Sequence, residues 1–255
     1  MVAKTLYKYL DVNGGLAMLE HHNLQFSNAT RLNDPFDCHP ALFDYSNAPE
    51  LESGWPSPAF ISSMEVKFNE NQRDKTWVCS LSKIHDSILM WSYYGSHRGI
   101  CVGLNMEKAQ NYLSKIMCSV YIGAMEMEVQ YRDIIEKPDY FNEVEDILCY
   151  QLSTKAKAWE HEQEVRLLLI DPTNVFIPMA LPYEPMDKDK VIDWKEVRAY
   201  PKIGGECFES LYLGINIDKE EKEKIIKVAL KLNPEIKIYQ MTINPEAFRL
   251  KEKQL

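Results

Sequence analysis

Three short segments concentrate the side chains that can do chemistry. The most informative is Trp159-Glu160-His161-Glu162-Gln163-Glu164-Val165-Arg166-Leu167-Leu168-Leu169. On a strand, side chains alternate, so Glu162, Glu164 and Arg166 project from one face while Val165, Leu167 and Leu169 fill the other. The apolar set fixes the register. Two carboxylates beside a guanidinium can orient a sugar hydroxyl or stabilise a developing cationic centre. The plain alternative is a surface charge ladder, which would stabilise little.

The second segment is Leu32-Asn33-Asp34-Pro35-Phe36-Asp37. Two carboxylates and an amide in a Pro-fixed turn can hold a polar ligand, a ribose or a cation. The same residues also make self-bonded turns that only connect elements. The third segment is Met90-Trp91-Ser92-Tyr93-Tyr94-Gly95-Ser96-His97-Arg98-Gly99. On a helix, Trp91 and Tyr94 lie three apart and share a face. Aromatic surface beside a histidine and an arginine suits a nucleotide, whose base stacks and whose phosphate meets the cation. An aromatic core followed by a solvated turn is the competing explanation.

These segments need elements to position them. Thr5–Leu10 alternates as a strand, with Tyr7 and Tyr9 on one face. Asn13 is placed to cap a short helix ending near Glu20. Leu24 to Ser27 reads as a strand, and residues 47–58 as a Pro-, Ser- and Gly-containing loop. A helix is expected over 60–71, a strand over 77–82, and a short helix over 87–94 closed by Gly95. Further strands are expected over 99–104, over two stretches within 117–131 turning near Gly123, and over 165–170. Residues 142–157 read as a helix. Near the end, a strand at 211–215 leads to a capping-box-like Asp218-x-x-Glu221, a helix with Ile225, Ile226, Ala229 and Leu230 on its apolar face, and a strand at 236–241 after Pro234. The pattern predicts an α+β (mixed α/β) fold: a central mixed sheet with flanking helices and a C-terminal strand-helix-strand unit. It fits a single domain over residues 1–255 with a loop and helical insertion around 45–75.

The chain has 255 residues, 45% hydrophobic and 26% charged, ample for a buried core. Its net charge of -9 argues against a broad nucleic-acid surface, which needs clustered Lys and Arg. A local basic pocket stays open. The six cysteines are scattered, with no CxxC or CxxH pair, and read as free thiols of a reducing compartment. Cys38-His39 has no second ligand group placed by sequence. No signal-like segment or membrane-length apolar run is present, so a cytoplasmic protein is expected.

Taken in order, the motifs resemble a bacterial family described as domain of unknown function 2971. The matching features are Leu6-Tyr7-Lys8-Tyr9, Phe26-Ser27, Leu32 to Asp37, Cys79-Ser80-Leu81-Ser82, Trp91 to Gly99 in the form W-S-x-Y-x-x-H-x-G, and Trp159 to Arg166 in the form W-x-x-E-x-E-x-R. This resemblance implies one pocket built from all three segments.

The arrangement also resembles the ADP-ribosyltransferase plan, in which a first strand carries Arg or His, a central strand Ser or Tyr, and a late strand a catalytic Glu. Carried over, these are Lys8 or Tyr9, Ser80 or Ser82, and Glu164, with Glu162 as the outer acid. The first strand departs from the plan, since it has neither Arg nor His. The resemblance implies NAD as substrate and a fold of that type. Glu164 would face the positive charge that develops on the ribose, and Glu162 would position or deprotonate the acceptor. Trp91 or Tyr94 would cover a ring, and His97 or Arg98 would meet the pyrophosphate. Asn33, Asp34, Asp37 and Arg166 complete the expected nucleotide site. A defence or effector role in a bacterial cell would follow. Two alternatives stay open: a non-catalytic nucleotide-binding or regulatory module, and a magnesium-dependent nuclease using Asp34, Asp37, Glu162 and Glu164.

Overall fold

Apolar alternation within short runs builds most of the sheet. The computed structural model describes residues 5–120, 125–144, 146–170 and 198–255. The elements are β1 (Thr5–Leu10), α1 (Val12–His21), β2 (Phe26–Asn28), α2 (Pro58–Asp74), β3 (Thr76–Ser82), α3 (Ile88–Gly95), β4 (Ile100–Asn105), α4 (Met106–Val120), β5 (Met125–Glu128), β6 (Gln130–Arg132), α5 (Ile147–Ser153), β7 (Thr154–Ala156), β8 (Glu164–Ile170), β9 (Arg198–Ala199), β10 (Phe208–Leu213), α6 (Lys219–Leu232), β11 (Lys237–Ile243) and β12 (Leu250–Gln254). The class is α+β, a mixed sheet flanked by helices. No described helix is long and apolar enough to cross a membrane.

The main sheet runs β12-β11-β10-β4-β1-β3, and β3 carries β8 and then β5 beyond it. Strands β10 and β11 are parallel and joined by α6, the expected strand-helix-strand unit. Leu6 of β1, Cys79 and Leu81 of β3, and Val165, Leu167 and Leu169 of β8 enter the largest core cluster. Tyr9 belongs to a second cluster, with Trp91, Cys101, Tyr212 and Met241. The period of two therefore divides β1 between two cores.

Strand β3 has an interrupted edge. It pairs β1 only at Tyr7↔Ser82, and pairs β2 at Ser27↔Val78 and Asn28↔Trp77. Between these contacts the sheet opens, and Lys8 Nζ crosses the gap to donate to the Ser80 carbonyl at 2.8 Å. This gap positions the site. Nearby, Gly99 is required by close approach: a Cβ there would lie 2.1 Å from the Leu10 carbonyl oxygen. Because the obstacle is backbone, Gly99→Ala is expected to cost about 1–3 kcal/mol as overpacking does, seen as a lowered thermal midpoint. An unchanged midpoint would refute this.

Several expected boundaries move. Asp11, not Asn13, caps α1, accepting from the Gly14 amide. Helix α2 is longer than expected, and it starts at Pro58 behind a Ser57 cap. Helix α4 continues to residue 120, where a strand was expected, and its Ala109 and Leu113, four apart, are buried. Gly123 lies outside the described residues. The helix expected over 142–157 is only α5; residues 154–156 form β7, parallel to β6. Strand β12 was not anticipated, because Leu250-Lys251-Glu252-Lys253-Gln254 has no apolar alternation.

Candidate functional site

The order of strands brings three side-chain rows together. Tyr7 of β1 is in register with Ser82 of β3, and Ser82 with Glu164 of β8. Directly opposed residues point to the same face, so the three form one row. A cleft of about 220 Å³ lies there, lined by Lys8, Tyr9, Asn33, Ser80, Ser82, Tyr94, Glu162 and Glu164 among others.

Beneath the cleft floor is a buried ion network. Arg166 is fully buried and uses its whole fork. Its Nε and Nη2 donate to the two oxygens of Glu164 at 3.0 and 3.1 Å. Nη2 also reaches Asp37 Oδ2 at 2.7 Å, while Nη1 donates to the Leu152 carbonyl at 2.7 Å and to Cys38 Sγ at 3.4 Å. A planar guanidinium suits such side-on pairing. Lys155 completes the network, donating to Glu164 Oε2 at 2.9 Å and to Glu162 Oε2 at 2.5 Å, with Asp37 Oδ2 at 3.9 Å. Trp159 covers it, the ring centroid 5.1 Å from Nζ. Tyr94 closes the cleft side by donating to Glu162 Oε1 at 2.6 Å. Three carboxylates thus face two cations, which leaves an excess negative charge beside the cleft.

Local backbone explains how Glu162 and Glu164 converge. Glu162 is not on a strand, as the sequence had suggested; it ends a 3-10 segment, Lys157–Glu162. Gln163 then adopts a left-handed conformation (φ 43°), a costly choice for a residue with a Cβ. The kink lets both glutamates turn inward. Ser82 Oγ pins it by donating to the Glu162 carbonyl at 2.7 Å. Tyr131, paired with Lys155 across β6 and β7, accepts from the Glu164 amide at 2.8 Å.

The electrostatics follow from burial against charge. Burial alone would raise the Glu164 carboxyl, but Arg166, Lys155 and the Ser80 hydroxyl together hold it well below its ordinary value near 4.5. Burial opposes charge on Lys155, yet Glu164, Glu162 and Asp37 prevail and push it upward. Burial first, and the Glu162 carboxylate second, raise the Tyr94 hydroxyl, so it remains a donor. Burial also lifts Tyr131 to about 12. For Glu164 the folded-state value lies below the unfolded one. Its stabilisation is therefore complete above about pH 4.5 and is lost as pH falls from there toward the folded-state value. The stability difference between wild type and Glu164→Gln, measured by urea unfolding, is expected to shrink progressively below pH 4.5. A constant difference down to pH 3 would contradict this linkage.

Not every expected site residue lines the cleft. Asp34 folds its own turn, accepting from the Phe36 amide at 2.9 Å; its buried second oxygen has no partner among the described residues. Asp37 and Arg166 sit beneath the floor. Trp91 is core: its indole N–H donates to the His85 carbonyl at 2.8 Å and its ring meets Tyr9 edge-on. His97 occupies a left-handed turn, and its carbonyl accepts from the Asn216 amide. Neither it nor Arg98 is in the lining. Tyr9 uses its hydroxyl on the Ile84 carbonyl. Sequence reasoning missed Lys155, Tyr131 and Arg31. A single lysine between Thr154 and Ala156 carries no local signal, and the helix expected there left it solvated.

Residues 90–167 match the family described as Protein of unknown function (DUF2971). This stretch belongs to the DUF2971 family. No curated protein and no solved structure matches the chain. The DUF2971 stretch runs from α3 into β8, so it holds Tyr94, Tyr131, Lys155, Glu162, Glu164 and Arg166. The Asn33 turn and β1, which supply the opposite wall of the cleft, lie outside it.

Proposed function

We propose that the cleft binds the ribose of an NAD-type nicotinamide nucleotide and weakens its glycosidic bond, as an ADP-ribosyltransferase or NAD glycohydrolase does. The row Tyr7–Ser82–Glu164 across adjacent strands carries this reading: it juxtaposes the first-strand, serine-strand and glutamate-strand positions of that plan. The cleft volume, below the roughly 300–1,000 Å³ of sites that enclose drug-sized ligands, suits a nicotinamide riboside.

The geometry redistributes the work between the glutamates. A carboxylate offers about four lone-pair positions. Glu164 receives three bonds from cations and the Ser80 hydroxyl. Glu162 receives only Tyr94 and Lys155, and so keeps acceptor capacity. In this reading Glu162 accepts from a ribose hydroxyl and faces the charge that develops at C1′ as the C–N bond breaks. The bonding pair leaves with the nicotinamide nitrogen. Water or an acceptor hydroxyl then attacks C1′ and gives up a proton. Glu164 holds Lys155, and through it Glu162.

Nicotinamide release from NAD, with protein and nucleic-acid acceptors supplied, tests the reading; no release would discard it. One observation favours a second reading, a non-catalytic nucleotide-binding module: the charge of Glu164 is countered by both Arg166 and Lys155. A melting point raised by NAD without release would select that module. The magnesium nuclease gains no support. Lys155 and Arg166 already bind Asp37, Glu162 and Glu164, and among the described residues no group of three or more ligands is placed to hold a metal.

A further inference from the structure

The cleft continues past Lys8. A second cavity of about 290 Å³ is lined by Lys8, Asn13, Asn23, Gln25, Arg198 and Tyr200, with apolar residues of α1. Lys8 belongs to both cavities. Their rims also join along β2: Gln25 Nε2 lies 3.4 Å from Ser27 Oγ, and Ser27 lines the first cavity. Arg198 is in register with Ser27 across the β2–β9 pair.

The two lobes differ in charge. The first contains two glutamates; the second contains two cations and no carboxylate. Neither Lys8 nor Arg198 has a carboxylate partner among the described residues. Lys8 spends one proton on the Ser80 carbonyl, which leaves two. Unpaired cations in a chain of net charge -9 mark a local anion site.

We propose that the second lobe receives a diphosphate and the nucleoside attached to it, so that the ligand is a dinucleotide lying across Lys8. Lys8 and Arg198 meet the phosphate oxygens, the guanidinium in forked geometry. Asn13, Asn23, Gln25 and Tyr200 supply donors and acceptors for the second ribose and base. This rests on the first lobe being the nicotinamide-ribose site, and it narrows the substrate from any nicotinamide nucleotide to one with a diphosphate bridge.

The probe is ADP, titrated calorimetrically into the full chain. Arg198 is exposed, so Arg198→Glu is expected to fold with an unchanged melting point. Lys227→Glu, on the exposed face of α6, controls for net charge. Wild type and Lys227→Glu are expected to bind ADP equally, and Arg198→Glu at least tenfold more weakly. No ADP binding at millimolar concentration, binding undiminished in Arg198→Glu, or equal loss in both variants would overturn the proposal. Nicotinamide release separates it from the reading beneath it. Arg198-dependent ADP binding without release keeps the second lobe and discards the reaction. Equal turnover of NAD and nicotinamide mononucleotide, with the KM for NAD unchanged in Arg198→Glu, keeps the reaction and overturns the second lobe.

Discussion

Arg166→Leu is expected to unfold at a temperature roughly 6–20 °C below wild type. Removing one partner of a buried ion pair costs about 3–5 kcal/mol, because the other charge stays buried without compensation. In a chain of this size each kcal/mol shifts the midpoint by roughly 2–4 °C. Here the loss is compounded. Arg166 serves Glu164, Asp37 and the Leu152 carbonyl at once, and only Lys155 remains to face both carboxylates. Leucine fills part of the volume, so the effect reports charge and hydrogen bonding more than a cavity. Arg166→Lys is expected to fall between, since an ammonium keeps the charge but cannot span both Glu164 oxygens and Asp37. A midpoint unchanged by Arg166→Leu would mean that the network contributes no more than a surface ladder does.

Glu162→Gln is expected to lower the turnover number for nicotinamide release by about two to three powers of ten, the loss that follows removal of one preorganised electrostatic contact. Glutamine keeps the size and can still accept from Tyr94, but it cannot supply charge. Its stability cost is expected to be smaller than that of Arg166→Leu, because Lys155 retains Glu164 at 2.9 Å. Glu164→Gln is the informative contrast. Its amide would face the donors of Arg166 and Lys155, so melting temperature and turnover are expected to fall together. The paired measurement is turnover and melting temperature on the same preparations. Equal release from wild type and Glu162→Gln would remove Glu162 from the centre of the reaction.

What the sequence made legible is what repeats locally. The run Val165 to Leu169 fixed the phase of β8, and with it the shared face of Glu164 and Arg166. The Asp218 cap and the apolar stripe of α6 placed the C-terminal unit. The burial of the ion network was less accessible, because its partners come from the Asn33 turn, β7 and β8. Lys155 shows the difficulty best. It stands on a three-residue strand that exists only because β6 lies beside it, and its partners are contributed by other segments. Trp91 and His97 erred the other way. Their types suit a nucleotide, but packing of α3 against β1 takes the indole into the core, and the left-handed turn after α3 uses the backbone of His97 to hold the loop after β10. Gln163 was illegible for a third reason: its conformation is imposed by the bonds from Ser82 and Tyr131 on either side.

The interrupted edge of β3 has a mechanical consequence. On one bank of the opening stand β1, β4, β10, β11 and β12; on the other stand β2, β3, β8 and β5. A shared apolar core binds the banks from below. Across the opening itself, however, the pairing of β1 with β3 is a single rung, Tyr7↔Ser82. The tethers beside it are two side-chain bonds to carbonyls, Lys8 to Ser80 and Tyr9 to Ile84. A full ladder resists shear through many bonds in parallel, whereas one rung and two tethers resist it weakly. The width of the opening is therefore the softest coordinate of the sheet. A molecule that touches both banks behaves as an added rung, and its grip on the protein is inseparable from the stiffness it confers.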